Sequence, residues 1–127
     1  MASKIGANST KVNIIIEQGA TFDVTVTWQN PDGTPVDLTG YTGRMQIRNP
    51  DDDAVLVELL GTNPPTLPHI VIVPAAGTIQ MIIPSDATEL LDFSAGLYDL
   101  EIYTAATPPY VVRVMHGVAV LDVETTR

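Results

Sequence analysis

Hydrophobic and polar residues alternate with the two-residue period of a β-strand in several segments of this chain. The clearest case is Thr21–Trp28, in which every apolar residue falls on one face while threonines and an aspartate fall on the other. Arg44–Arg48 and Leu97–Thr104 repeat the pattern, so each of these strands should bury one face. The pattern predicts a shared core formed by Phe22, Val24, Val26, Trp28, Met45, Ile47, Tyr98, Leu100 and Ile102.

Shorter apolar runs bounded by turn-forming residues predict the remaining strands. These runs are Val12–Glu17, Ala54–Leu60, His69–Val73, Thr78–Ile83 and Tyr110–Val123. The four residues Pro74–Gly77 suit the loop of a hairpin between two of them. Gly117 is expected to mark a bulge or bend in the last and longest run.

One segment, Ser85–Leu91, is the only candidate for a helix. Ser85 or Asp86 could serve as its N-cap, and Asp86 followed by Glu89 approximates a capping box. Because the segment is so short, it should connect two strands and not form a layer of its own.

The turn Asp37–Gly40 is predicted to be a structural corner and not a ligand site. Leu38 should anchor it in the core, and Asp37 or Thr39 should accept hydrogen bonds from the local backbone. Gly40 should adopt a conformation that is costly for residues with a Cβ atom.

These elements predict an all-β fold, an antiparallel sandwich of roughly seven to eight strands with one short helix. A parallel α/β sheet would require crossover helices, which the pattern does not contain. The segment Ala95–Leu100 follows the short helix and places Tyr98 where a tyrosine corner would lie, so the architecture resembles an immunoglobulin-like domain. At 127 residues the chain fits one such domain, residues 11–127, preceded by a polar N-terminal arm, residues 1–10.

The charge balance argues against two classes of partner. The chain has 15 acidic and 6 basic residues, a formal net charge of −9, which disfavours contact with nucleic-acid phosphates and anionic membranes. Its apolar runs reach about eight residues, well short of the roughly 20 that cross a bilayer. The N-terminus lacks the apolar stretch of a secretion signal, and the absence of cysteine excludes disulfides. We therefore expect neither a nucleic-acid nor a membrane partner.

Residues with catalytic or ligand-binding chemistry are sparse. Asp51–Asp53 could offer oxygen atoms to calcium, but the glycine and terminal glutamate of an EF-hand are missing, so a solvated turn is favoured. His69 and His116 have no partner at the spacing of a metalloprotease or hydrolase motif. The sequence thus predicts no enzyme and no catalytic, metal or cofactor residues, while the tyrosines leave carbohydrate binding open.

A family resemblance rests on the segments Ile16–Phe22, Gly33–Arg48 and Gly117–Arg127. Together they resemble the small immunoglobulin-like structural proteins of tailed bacteriophages and prophages, and are similar to the N-terminal domain of phage baseplate upper proteins. The resemblance implies a virion component, assembled in the bacterial host cytoplasm, that joins larger parts at the tail, baseplate or fibre attachment. Its partners would be other virion proteins, in a homo-oligomer or a multi-partner assembly. A capsid decoration protein of the phage head and a carbohydrate-binding module for host attachment are the alternatives.

Overall fold

A computed structural model describes residues 9–123 and residue 125 of the chain. This part is mostly β-structure, with one short helix, α1 (Ser85–Glu89), and a single 3₁₀ turn at Pro74–Ala76. The all-β prediction with one short helix is therefore confirmed. The strands, numbered in chain order, are β1 (Thr10–Lys11), β2 (Ile14–Glu17), β3 (Phe22–Thr27), β4 (Tyr41–Arg48), β5 (Val55–Leu60), β6 (His69–Val73), β7 (Thr78–Ile83), β8 (Ala95–Thr104) and β9 (Val111–Asp122).

The strands form one curled sheet in the order β1-β9-β8-β4-β5-β6-β7-β3, with β2 also paired to β9. The prediction of purely antiparallel pairing is wrong, because β1 and β2 run parallel to β9. Parallel neighbours need a long connection, which is usually a crossover helix when the two strands follow each other in the chain. The first and last strands are connected by the whole of the remaining sheet, so they can pair in parallel without such a helix. The predicted hairpin is present: β6 and β7 pair antiparallel around Pro74–Gly77.

The N-terminal edge strand is divided at Val12 and Asn13, so the described residues contain nine strands, or eight if β1 and β2 are counted as one divided strand. The break lies against Gly117, where an added Cβ atom would stand 2.8 Å from the carbonyl carbon of Val12. Gly117 thus allows a close approach of two chain segments. The register shift of β9 lies instead opposite Leu100 and Glu101, so the predicted bulge at Gly117 is corrected.

Tyr98 holds this edge strand in place. Its hydroxyl donates a 2.6 Å hydrogen bond to the carbonyl oxygen of Val12, while the Val12 amide donates to the carbonyl of His116 at 2.8 Å. A tyrosine corner would instead bond to the backbone a few residues upstream. The tyrosine-corner prediction is therefore wrong, because the acceptor lies 86 residues earlier in the chain.

The inward-facing side chains form a single hydrophobic cluster. Of the nine residues predicted for the core, Val24 and Val26 are partly exposed and the other seven are buried. Both valines lie on β3, which pairs only with β7 and so forms an edge of the sheet. Buried residues that the alternation did not select include Ile14, Ile16, Leu38, Leu59, Ile70, Ile79, Met81, Ile83 and Leu121.

The short helix is fixed by a buried threonine. Thr88 Oγ accepts a hydrogen bond from the Gly19 amide at 3.0 Å and lies 2.8 Å from the carbonyl oxygen of Ala20. The N-cap residue is Pro84, without a side-chain cap bond, so the predicted caps are wrong. Docking of Thr88 onto the turn before β3 takes the place of capping.

Residues 1–8 of the predicted arm lie outside the described residues. The last two residues of the arm belong to the sheet edge: Thr10 pairs with Met115, and the hydroxyl of Ser9 lies 2.5 Å from Nδ1 of His116.

Candidate protein–protein interface

The outward surface of β9, β8, β4 and β5 carries an ordered set of side chains, which we call the ladder face. Backbone pairing aligns these side chains in three rows across the four strands. Alternation puts them opposite the buried Met45, Ile47 and Leu100. Each row is given in the strand order β9, β8, β4, β5. The first row is Val118, Leu97, Arg48 and Val55. The middle row is His116, Asp99, Gln46 and Glu58. The last row is Arg113, Glu101, Arg44 and Leu60.

Arg44 is fixed by two contacts on this face. Its Nε atom forms an ion pair of 2.8 Å with Oε1 of Glu101, and its guanidinium carbon lies 4.6 Å from the centroid of the Tyr103 ring. An exposed ion pair contributes roughly 0 to 1 kcal/mol and an exposed cation–π contact about 0.5 to 1 kcal/mol. The contacts therefore add little to stability, but they fix the direction of the guanidinium.

A chain of hydrogen bonds crosses the face beside Arg44. Arg48 donates to Oε1 of Gln46 at 3.0 and 2.7 Å, and Gln46 in turn donates to Oε2 of Glu58 at 2.6 Å. Arg48 also donates to the carbonyl oxygen of Asp53 at 2.9 Å. Because each side chain restrains the next, the polar part of the face is arranged before any partner binds.

Asp99 lies in the middle row, and its carboxylate accepts no hydrogen bond from the described residues. Burial raises the pKa of this carboxyl group, and the negative charge of Glu101 raises it further, against the opposing effect of Arg113, Arg48 and His116. Asp99 also lines a shallow depression of about 500 Å³ together with Arg44, Gln46, Glu58 and Tyr103. The depression thus contains an acceptor that could receive a hydrogen bond from outside the molecule.

Exposed apolar side chains border the polar rows. Leu97 is 53% exposed and Val55 47%, and both belong to the first row. Beyond that row, Ile15 on β2 lies beside Val120 on β9, and both are exposed. Apolar side chains next to arginines match two features of protein–protein interfaces, an apolar centre and an enrichment in arginine, whereas aspartate and glutamate are depleted in such interfaces.

The turn predicted from the sequence is placed outside the ladder face. Oδ1 of Asp37 accepts hydrogen bonds from the amide and hydroxyl of Thr39 at 3.0 and 2.6 Å, which lower the pKa of the Asp37 carboxyl group. Leu38 is buried and its amide donates to the carbonyl of Pro74 at 3.2 Å. Gly40 has φ of +86°, in the left-handed region. These are the contacts of a structural corner.

Other residues considered for chemistry do not come together. His69 is buried, with Nδ1 2.7 Å from the carbonyl oxygen of Leu67, whereas His116 belongs to the ladder face. Oδ1 of Asp52 accepts from the amide of Ala54 at 3.0 Å, within its own turn. Among the described residues, no group of three or more histidine, aspartate or glutamate side chains could hold a metal ion.

The outward directions of Arg44, Gln46 and Arg48 followed from alternation in the sequence. The sequence did not indicate that Glu58, Asp99 and Glu101 lie beside them, because those residues belong to strands whose register is set by three-dimensional pairing.

Comparison with known proteins gives no family for the chain: no family model matches it, and neither does any curated protein. Within residues 9–123 and 125, no helix has the length and hydrophobicity needed to cross a membrane.

Proposed function

We propose that this protein is a non-enzymatic structural component of a tailed-phage virion, an adaptor at the tail, baseplate or fibre attachment. The ladder face is the observation that carries the proposal. It combines exposed apolar side chains with arginines and carboxylates that are already restrained, and such a surface can bind another protein with little further ordering. The resemblance of three sequence segments to phage immunoglobulin-like proteins supports the virion assignment.

We further infer that the curled sheet is an immunoglobulin-like sandwich. Its pairing falls into two sets, β9-β8-β4-β5 and β6-β7-β3, linked by the single residue pair Leu60–His69. If β3 to β9 are lettered B, C, C′, D, E, F and G in chain order, the two sets become G-F-C-C′ and D-E-B. This is the strand grouping of variable-type immunoglobulin domains. The inward side chains of both sets belong to one core cluster, as expected for two packed layers.

The test is the position of the protein in intact particles of the phage that encodes it, measured by reconstruction with a tagged copy. Density at the tail, baseplate or fibre attachment supports the adaptor role, whereas density on the capsid surface supports the head-decoration alternative. Absence from purified particles refutes the virion assignment.

Removal of the arm gives a second test. Deleting residues 2–8 leaves every described strand intact, so we expect a folded protein that enters particles less efficiently. Far-ultraviolet circular dichroism checks the fold and quantitative mass spectrometry of particles checks incorporation. Normal incorporation would show that the arm is dispensable and that the contacts lie on the sheet.

Carbohydrate binding is a second candidate, favoured by the polar depression on the ladder face. It combines the Tyr103 ring with the carboxylates of Asp99 and Glu58, groups that suit sugar rings and hydroxyls. However, the guanidinium of Arg44 lies over the Tyr103 ring. Glycan binding by the isolated protein that is lost in Tyr103→Ala and kept in Tyr110→Ala would favour this function over the adaptor role.

A further inference from the structure

We propose that two copies of this chain associate through their ladder faces, about a two-fold axis parallel to the strands. The inference rests on the proposed role of the ladder face as an interface, and it names a second copy of the chain as one partner of that face. It follows from the row order of the side chains and from the distribution of charge over the molecule.

The balance of charge is the first argument. The whole chain has 15 acidic and 6 basic residues, so two copies repel each other over most orientations. The three rows of the ladder face contain three arginines and three carboxylates, and the arginines are half of all the lysine and arginine residues in the chain. Two ladder faces can therefore meet without a net repulsion between them.

The row order is the second argument. The proposed axis lies in the plane of the interface, parallel to the strands and between β8 and β4. Rotation about it places each row on the same row of the other copy with the strand order reversed. As a result, β9 faces the partner's β5 and β8 faces the partner's β4. His116 then faces the partner's Glu58, and Asp99 faces the partner's Gln46. The carboxylate of Asp99 accepts no hydrogen bond from the described residues of its own copy, and the side-chain amide of the partner's Gln46 would donate one to it.

The outer rows are complementary at two of their four kinds of contact in this orientation. Glu101 faces the partner's Arg44, and since each copy already contains the Arg44–Glu101 ion pair, four charges of alternating sign come together. Val118 faces the partner's Val55, which covers exposed apolar surface on both copies. At the other two, Leu97 faces the partner's Arg48 and Arg113 faces the partner's Leu60, so that an arginine lies against an apolar side chain.

An axis perpendicular to the strands gives the opposite result. It would exchange the first and last rows, so that Arg48 faces the partner's Arg44 and Leu97 faces the partner's Glu101. The middle row would meet itself, so that Asp99 faces the partner's Asp99 and Glu58 faces the partner's Glu58. These contacts between like charges, which the parallel axis avoids, oppose association. The register therefore selects the axis parallel to the strands.

The size of the face reaches the lower end of the range for a specific dimer. The strands β2, β9, β8, β4 and β5 contain 4, 12, 10, 8 and 6 residues. At about 3.3 Å per residue and about 4.8 Å between strands they cover roughly 630 Å² per copy. Two copies would bury roughly 1,270 Å², near the lower limit of about 1,200 Å² for stable interfaces.

A cysteine cross-link tests the geometry directly. The chain has no cysteine, so Gln46→Cys introduces the only thiol, close to the proposed axis and therefore close to its own symmetry mate. Gln80→Cys is the matched control, because Gln80 lies on the outward side of β7 in the other strand set, where its amide donates to Asp23 at 2.9 Å. Under mild oxidation, Gln46→Cys should give disulfide-linked dimers at least tenfold faster than Gln80→Cys. Equal rates, or no cross-link in either variant, would overturn the proposal.

Sedimentation equilibrium of the full chain provides an independent test. The unmodified protein should show a concentration-dependent monomer–dimer equilibrium, and Val55→Asp should weaken it at least tenfold, because it places a carboxylate against the partner's Val118. Val73→Asp is the control: Val73 is 48% exposed and Val55 47%, but Val73 lies on β6 away from the ladder face. A protein that stays monomeric at about 100 µM, or equal weakening by both substitutions, would contradict the dimer.

The outcomes separate this inference from the proposed function. A monomeric chain found at the tail of intact particles overturns the dimer and leaves the adaptor role. A dimer that is absent from purified particles overturns the virion assignment and leaves the dimer.

Discussion

Removing the hydroxyl of Tyr98 tests the contact that attaches the N-terminal edge strand to the sheet. In Tyr98→Phe the ring remains to fill the core, while the 2.6 Å hydrogen bond to the Val12 carbonyl is lost. A net hydrogen bond contributes about 0.5 to 1.5 kcal/mol, and because Val12 is partly exposed its carbonyl could be hydrated after the change. We expect the free energy of unfolding to fall by about 1 kcal/mol.

The thermal consequence can be calculated from the length of the chain. At about 2.1 cal/mol/K per residue, 127 residues give an unfolding entropy of roughly 270 cal/mol/K, so about 1 kcal/mol lowers Tm by roughly 4 °C. Scanning calorimetry gives the Tm, and hydrogen exchange at the Val12 amide, which donates to His116, reports on the edge strand itself. Tyr110→Phe is the control, because Tyr110 is 51% exposed. Equal Tm values for the two variants, with unchanged exchange at Val12, would refute the reasoning.

The pH dependence of the same residue provides a further check. Burial raises the pKa of Tyr98 from 10.0 to about 12. Between these values the unfolded chain loses the phenolic proton while the folded chain keeps it, so stability falls as the pH rises from about 10 to about 12. Phenylalanine has no such proton. The stability difference between the original protein and Tyr98→Phe should therefore narrow above pH 10.

Substitutions at three other residues have defined outcomes. Gly40→Val should lower the free energy of unfolding by about 1 to 2 kcal/mol in urea denaturation, from backbone strain alone, because no heavy atom lies within 4 Å of the added Cβ; no loss would contradict the assigned conformation. Trp28→Ala should lower the free energy of unfolding by about 3 to 5 kcal/mol, because Trp28 is buried. Trp28→Phe should lower it markedly less, since no described group accepts a hydrogen bond from the buried indole N–H. Indole emission typical of full exposure in the unmodified protein would contradict this placement. Asp99→Asn should raise Tm at pH 7, because the raised pKa of Asp99 means that ionisation of this carboxyl group disfavours folding. The Tm difference between the variant and the original protein should shrink as the pH falls towards 3.8. An unchanged or lowered Tm at pH 7 would refute the unfavourable environment of Asp99.

The sequence predicted best what depends on local pattern. Alternation placed Met45 and Ile47 inward and Arg44 outward, because the side-chain period of a strand is fixed by its backbone. The turn at Asp37–Gly40 was equally local, since the bonds of Asp37 reach only to Thr39. Such features need no knowledge of what the segment packs against.

Long-range contacts could not be predicted in this way. The acceptor of Tyr98 is a carbonyl 86 residues away, and Gly117 is required by the approach of Val12 and not by its own strand. The predicted helix is present, but its predicted caps were wrong for the same reason, because Thr88 is held by the turn before β3 and not by a local cap. Each of these contacts depends on which strands are neighbours.

The ladder face shows how local pattern and long-range register combine. Alternation gives each strand an outward set of polar residues, but the register decides that Glu101 lies beside Arg44 and that Gln46 lies beside Asp99. A shift of one residue in β8 would turn Glu101 towards the core and expose Leu100 or Ile102 in its place. The burial of Leu100 and Ile102 therefore fixes the arrangement of charges on the opposite side of the same strand. This coupling explains how an acidic chain with few basic residues can present a surface on which three arginines and three carboxylates lie side by side.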